Sequence, residues 1–289
     1  MTEKQLRWFY LILLSLIWGS SFILMKKALI GLSPLQVGAL RILIAGIVLA
    51  SISYKYLGTI TKKQWPYLLI SSFSGTFFPA FLFVYAIRHI DSSIASLLNS
   101  LTPLNTFVLG VLLFGAPFIN KQFFGILLGL VGAGFLIVKG AQINPDQNYY
   151  YALLILLATI GYGFNINIVK KYLQELKPIT ITLSNFVISF VPASIILWAS
   201  DFSLQESYAV AKQSLFYVLV LAVICTAFAN VIFYKLVSIS SPVFTSSVTY
   251  LIPLVAVIFG ILDGEKISVF QLIAASIIFL GIYLSNKGR

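Results

Sequence analysis

Apolar positions fall in blocks of about twenty along this chain, each closed by a short polar stretch. A helix that crosses a bilayer needs about 20 mostly apolar residues. Ten such blocks can be drawn, roughly 8–28, 35–56, 66–87, 92–114, 121–138, 150–170, 179–199, 214–235, 241–262 and 268–285. The links are short, many carry Pro, Asn, Asp or Lys, and none has room for a soluble domain. The longest, Lys139 to Asn148, holds Asn144-Pro145-Asp146 and divides the blocks into two sets of five; a second modest loop runs from Ser200 to Lys212. The stretch from Met1 to Arg7 and the apolar run from Trp8 look superficially like a secretory leader. The run is long, lacks a small-residue cleavage site and ends in Lys26-Lys27, so it reads as a retained first helix.

The second set of five repeats the first. Leu101-Thr102-Pro103-Leu104 is answered by Leu251-Ile252-Pro253-Leu254, 150 positions on. Lys26-Lys27 matches Lys170-Lys171 and Pro34 matches Pro178 at a shift of 144, which sets Trp18 on Tyr162, Gly19 on Gly163 and Arg41 on Asn185. At a shift of 149, Tyr85 falls on Tyr234, Phe81 on Asn230, Gly115 on Gly264 and Gly132 on Gly281. So many matches in order point to duplication. An odd number of crossings per copy turns the copies upside down relative to each other. Inverted pairs of this kind recur in secondary transporters, with the substrate between the copies near the bilayer midplane.

Composition agrees: 60% of the 289 residues are hydrophobic and 9% charged, with mean hydropathy +0.99, more apolar surface than a soluble domain can hide. The net charge of +11 is topological. With ten crossings both termini share a side, and that side collects 12 basic residues against 2 acids, Glu3 and Glu175. The opposite side has 6 of each, and Arg41 alone stands inside a span. The basic excess therefore places both termini in the cytoplasm, in an integral protein of the plasma (cytoplasmic) membrane. Spread over short loops, it does not describe a nucleic-acid partner. Cys225, the single cysteine, rules out an internal disulfide and reads as a small packing residue.

Several segments resemble the drug/metabolite transporter superfamily, in its EamA-like type. They are Ile17-Trp18-Gly19-Ser20-Ser21-Phe22, Leu40-Arg41-Ile42-Leu43, the twin L-x-P-L segments, and Asp263-Gly264-Glu265-Lys266. The resemblance spans nearly the whole chain and implies an all-α membrane protein: ten transmembrane helices, as two inverted five-helix repeats (1–143 and 149–289) around a central cavity. It further implies export of small metabolites such as amino acids, without fixing the substrate. One departure stands out. The family often has Gly-Glu before the last helix of both halves, but the first half here has Gly115-Ala116, so a role for that glutamate extends only to Glu265.

Polar side chains within the spans mark either helix contacts or the transport path. Helix 4 carries Asn99, Thr102 and Pro103 in a densely polar stretch, and helix 9 carries Thr249 and Tyr250 before Pro253. Each proline frees a carbonyl one turn earlier, near positions 99 and 249, for a ligand. Because polarity and proline coincide in both copies, the cavity reading is favoured over a packing kink. Helix 1 sets Trp18, Ser21 and Met25 on one face, and helix 6 sets Tyr162 and Asn165 at equivalent turns. Aromatics paired with small polar groups suit an amphipathic solute, but Trp18 could equally be packing between helices. Phe77, Phe81 and Tyr85 on helix 3 and Asn230 on helix 8 are further candidates, with Asn230 read evenly as path or helix bridge. Arg41 lies about 10 Å into helix 2. It is either a counter-charge for a substrate carboxylate or phosphate, or an arginine that snorkels outward or bonds helix-end carbonyls; the second reading is favoured. His89, between Arg88 and Asp91, reads as a solvated loop.

All eight acids lie in loops or at helix ends, so no buried carboxylate offers the usual proton carrier; this suits an uncoupled, gradient-driven carrier, with Asp91, Glu265 and His89 left open as participants near an entrance. One histidine, one cysteine and no intramembrane acid cannot assemble a catalytic centre or metal cluster, so an intramembrane enzyme ranks low and no cofactor is implied. A lipid or lipid-linked sugar flippase of the same architecture stays open. An exchanger of nucleotide sugars or phosphate esters, which would show several basic residues within the spans, ranks lower. The expected partners are a small-molecule metabolite and the lipid bilayer, with the chain a monomer or weak homo-oligomer. Gly125 and Gly129 on helix 5 have the spacing that lets helices approach, between the halves or between subunits.

Overall fold

The computed structural model of the protein describes residues 2–143, 147–200, 208–265 and 267–286. Asn144-Pro145-Asp146, most of the loop after Ser200, Lys266 and the last three residues lie outside them. The chain is all-helical. The first repeat comprises α1 (Glu3–Ala28), α2 (Pro34–Ser53, ending in a tighter turn over Tyr54–Thr59), α3, α4 and α5 (Asn120–Ile143). The second comprises α6 (Ala152–Tyr172), α7 (Pro178–Ala199), α8, α9 and α10 (Val269–Asn286). Helices α3 (Trp65–Ser72 and Phe78–Ile87) and α8 (Tyr208–Ala222 and Ala229–Ile239) are each interrupted by a π turn, over Phe73–Phe77 and Val223–Phe228. Helices α4 (Ser92–Asn99 and Thr102–Phe114) and α9 (Pro242–Ser246 and Val248–Leu262) are each broken in two. Interruptions at matching places in both halves bear the imprint of the duplication.

Among the described residues eight helices are long and apolar enough to cross a membrane, and the apolar stretches of α5 and α10 are shorter, Phe123–Val138 and Val269–Gly281. Large apolar side chains stand outward along the bundle, Trp198 85% and Leu262 77% exposed among them, as lipid-facing positions should. Helix starts follow local chemistry. Thr2 with Gln5 and Ser33 with Gln36 form capping boxes at α1 and α2, and Pro34 and Pro178 open α2 and α7, where a missing N–H costs nothing.

The repeats interlock. Helix α1 packs on α9 and, correspondingly, α6 on α4; α2 faces α7 and α5 faces α10. Glycine permits the two matching crossings: a Cβ on Gly19 would sit 2.5 Å from Val255, and one on Gly163 would sit 2.7 Å from the Thr106 nitrogen. At one end of the bundle the close of α1 meets the close of α9, through Lys26 and Asp263 at 2.9 Å. At the other, Lys171 at the close of α6 reaches the Phe114 carbonyl at the close of α4, 3.4 Å away. Equivalent helix ends thus lie at opposite ends of the bundle, and the repeats are inverted. The helix 5 glycines close a contact between the halves: a Cβ on Gly281 of α10 would come within 2.6 Å of the Gly125 carbonyl and the Gly129 nitrogen.

Candidate functional site

Where the halves face each other a cavity opens, about 870 Å³ with its mouth included, lined by α1–α4 and α6–α9. Described residues of α5 and α10 take no part in it. Of the residues singled out in the sequence, Trp18, Ser21, Arg41, Asn99, Thr102, Tyr162, Asn165, Asn230 and Thr249 line this space together.

Each is held by a definite contact. Trp18 Nε1 donates to the Cys225 carbonyl at 2.9 Å, and its ring lies 5.1 Å from Phe233. Tyr162 stacks on Phe83 at 5.9 Å, and Phe83 meets Phe22 edge-on at 5.8 Å, which makes one aromatic wall. Asn230 Nδ2 donates back to the Thr226 carbonyl at 2.8 Å. Asn165 belongs to a buried network: its Oδ1 accepts from Ser71 at 2.7 Å and its Nδ2 donates to Tyr234 Oη at 3.2 Å, while Asn185 Nδ2 donates to Tyr234 Oη at 2.8 Å and to Ser71 at 3.0 Å. That network joins α3, α6, α7 and α8 and rigidifies them beside the cavity, because buried polar groups with partners fix their elements in place.

Arg41 does not snorkel. Its Nε donates to Thr226 Oγ1 at 2.6 Å, in the π turn of α8, and one terminal nitrogen lies 3.8 Å from the Met25 sulfur. Position along the helix gave its depth, but only the packing shows which way it faces.

Six other candidates sit elsewhere. Phe77 packs edge-on against Phe73 and Phe81, 5.3 and 5.1 Å away, and Phe81 fills the space left by Gly38 of α2. Tyr85 is half-buried outside the cavity lining, and Tyr250 packs into the apolar core. The two prolines do not act as matching kinks. Pro103 opens the second half of α4, whereas Pro253 lies inside the second half of α9, whose break is at Ser247. The Asn99 carbonyl, freed by Pro103, accepts from Thr102 Oγ1 at 2.8 Å. Among the residues that sequence reasoning left out, Phe22, Phe83, Thr226 and Phe233 line the cavity. Phe22 has a usable signal, one residue from Ser21 on the face of Trp18. Thr226 has none, because its orientation is set by the π turn.

One end of the bundle is closed by an ionic latch. Glu265, its side chain 2% exposed, accepts from Lys26 at 2.9 Å. It also accepts from the backbone and hydroxyl of Ser92, at 3.1 and 2.7 Å, and of Ser93, at 3.2 and 2.5 Å. A carboxylate is well placed there, at the positive end of the α4 dipole. Burial alone would raise the acid's pKa, but the hydrogen bonds from Ser93, Lys26 and Ser92, with the Lys26 charge, hold it below the ordinary glutamate value. Asp263 is likewise held low, against its own burial, by Lys27 and Lys26. In both repeats a left-handed glycine (Gly115 at φ 75°, Gly264 at φ 88°) turns the chain so that the next N–H bonds back at 2.9 Å, Ala116 to Gly110 and Glu265 to Gly260. The turn is shared, and the carboxylate is in one copy only. His89 stacks on Tyr151 at 3.7 Å between ring centres, and neither residue is in the cavity lining.

Comparison with known proteins agrees with this architecture. The EamA-like transporter family matches residues 6–138 and again 150–287. The chain is 24% identical to a protein of Salmonella typhimurium named "Probable amino-acid metabolite efflux pump", over 97% of this chain and 94% of that one. It is also 24% identical to the "Uncharacterized inner membrane transporter YedA" of Escherichia coli (strain K12), over 96% and 89%. A "WAT1-related protein, chloroplastic" of Arabidopsis thaliana shares 27%, over 97% of this chain and 69% of its own. A solved crystal structure superposes with a TM-score of 0.65 at 15% identity, covering 96% of this chain and 98% of the other, a likeness of fold. Two family matches together span nearly all of this inverted ten-helix bundle: the chain belongs to the EamA-like transporter family, a family of transporters and not of enzymes, within the drug/metabolite transporter superfamily.

Proposed function

We propose that the protein is a secondary exporter of small metabolites, amino acids or related amphipathic solutes, that works by alternating access between its two repeats. The observation that carries this reading is the mid-bundle cavity, walled by four helices from each repeat and combining an aromatic face with Asn99, Asn165 and Asn230. A solute with an apolar body and a few polar groups fits such a lining. The name of the Salmonella relative agrees with the direction and the solute class. Broken helices α4 and α9 cross the same cavity from opposite repeats, an arrangement that suits rocking of the halves about a fixed site. In this reading the protein sits in the cytoplasmic membrane with both termini inside, and Trp18, Ser21, Arg41, Tyr162 and the cavity-lining polar residues touch the solute. The test is a solute screen on proteoliposomes with and without an imposed pH gradient. Saturable flux that Trp18→Ala and Asn99→Ala both reduce supports the reading; flux unchanged in both variants removes these residues from the path.

A further inference from the structure

Among the described residues Arg41 is the one charged side chain that lines the cavity. Among the described residues no carboxylate pairs with it: Asp263 and Glu265 are bound to Lys26 and Lys27 at the bundle end, and Glu3 pairs with Arg7. The duplication does not balance the charge, because the residue equivalent to Arg41 is Asn185, tied to Tyr234 and Ser71. The bond from Nε to Thr226 fixes the guanidinium plane; one terminal nitrogen also donates to the Met25 sulfur at 3.8 Å, a weak acceptor, and the remaining N–H donors of the fork are left for a ligand. That fork matches the two oxygens of a carboxylate. A cation in a low-dielectric cavity without a counter-ion is costly and is relieved by an anion. An ammonium on the carbon next to that carboxylate would stand within a few ångströms of Arg41, with no acid in the lining to offset the repulsion.

From this, and resting on the transporter reading above, we infer that the transported species is a monoanion, an organic carboxylate with an aromatic or apolar body and no charged amine, such as a 2-oxo acid or an N-acylated amino acid, and that Arg41 binds its carboxylate. Export then moves one negative charge outward in each cycle. An inside-negative membrane drives that step unaided, sustaining roughly a 50-fold outward gradient per 100 mV. Among the described residues no carboxylate lines the cavity to carry a proton, and on this reading none is needed.

The test uses the full chain in proteoliposomes with three probes of one body, N-acetylphenylalanine (anion), phenylalanine (zwitterion) and phenylalaninamide at a pH where it is a cation. Potassium diffusion potentials of both signs are imposed. Efflux of the anion should exceed that of the zwitterion by about 10-fold, quicken when the inside is negative and register as outward movement of negative charge. Arg41→Gln should remove the preference among the three probes, with folding checked by size-exclusion profile; should that variant not fold, the charge series and voltage response of the unaltered protein decide alone. Equal or faster flux of phenylalanine, or anion flux indifferent to voltage, overturns the assignment and leaves the transporter reading standing. Flux of all three no greater than in protein-free vesicles overturns both.

Discussion

Glu265→Ala should unfasten one end of the bundle. The carboxylate draws together three helices, α1 through Lys26, α4 through Ser92 and Ser93, and α9, from which it extends. Its removal deletes charge-assisted hydrogen bonds to two backbone N–H groups and two hydroxyls at the start of α4, groups buried at 0% and 1% exposure. Breaking a buried, hydrogen-bonded ion pair costs about 3–5 kcal/mol. Lys26 is one-third exposed and keeps Asp263 at 2.9 Å, so it is not stranded, and the lower end applies, about 3 kcal/mol. Glu265→Gln, which still accepts through one oxygen, should cost about half of that. In detergent, a thermal unfolding midpoint lower by about 6–12 °C for the alanine variant is expected. Acid adds a second readout. A carboxylate whose folded pKa is depressed stabilises the fold above the unfolded value of 4.5 and loses that contribution as pH falls through the folded value. The unaltered protein should therefore hold its midpoint down to about pH 4.5 and fall below it, and Glu265→Gln should fall less. Equal midpoints for both variants and the unaltered protein, with identical acid curves, would refute the claim that this carboxylate holds α1, α4 and α9 together.

Further expectations follow the same geometry. Gly281→Ala should sharply reduce folded protein, since its Cβ would press on the Gly125 and Gly129 backbones of α5, whereas Gly134→Ala, with nothing within 4 Å, should express normally; fluorescence-detected size exclusion separates the two. Trp18→Phe should keep a ring against Phe233 but lose the bond to the Cys225 carbonyl, lowering solute affinity by roughly 3–10-fold in a flux titration. Thr226→Val should leave Arg41 charged but unpinned, so that half-saturation rises while maximal flux is largely kept, by about 10-fold at most.

The fold was legible because lipid imposes a simple rule: spans must be about twenty residues long and apolar, and links must be polar. The repeat supplied the inversion. The cavity lining was legible where polar residues interrupt an apolar span, singly at Asn165 and Asn230 and in clusters around Asn99 and Thr249. It was misread on the second half of α3, Phe78–Ile87, which is apolar on every side, so that no face declares itself. There the π turn over Phe73–Phe77 adds a residue and shifts the phase of everything after it, so Phe83 reaches the cavity while Phe81 turns to Gly38 and Phe77 packs among its neighbours. Proline misled in a different way. Pro103 and Pro253 align in the repeat, but each broken helix sets its own stop, at Ser100 and at Ser247. Arg41 declared its depth and hid its direction.

The seam of α5 with α10 divides the labour of this protein. At Gly125, Gly129 and Gly281 it runs backbone against backbone, on helices whose described residues give nothing to the cavity lining. What fastens the repeats there is independent of which side chains meet the cargo. Mutations that retune the eight inner helices for a new solute leave that fastening untouched, so one scaffold can change its trade without first learning to fold again.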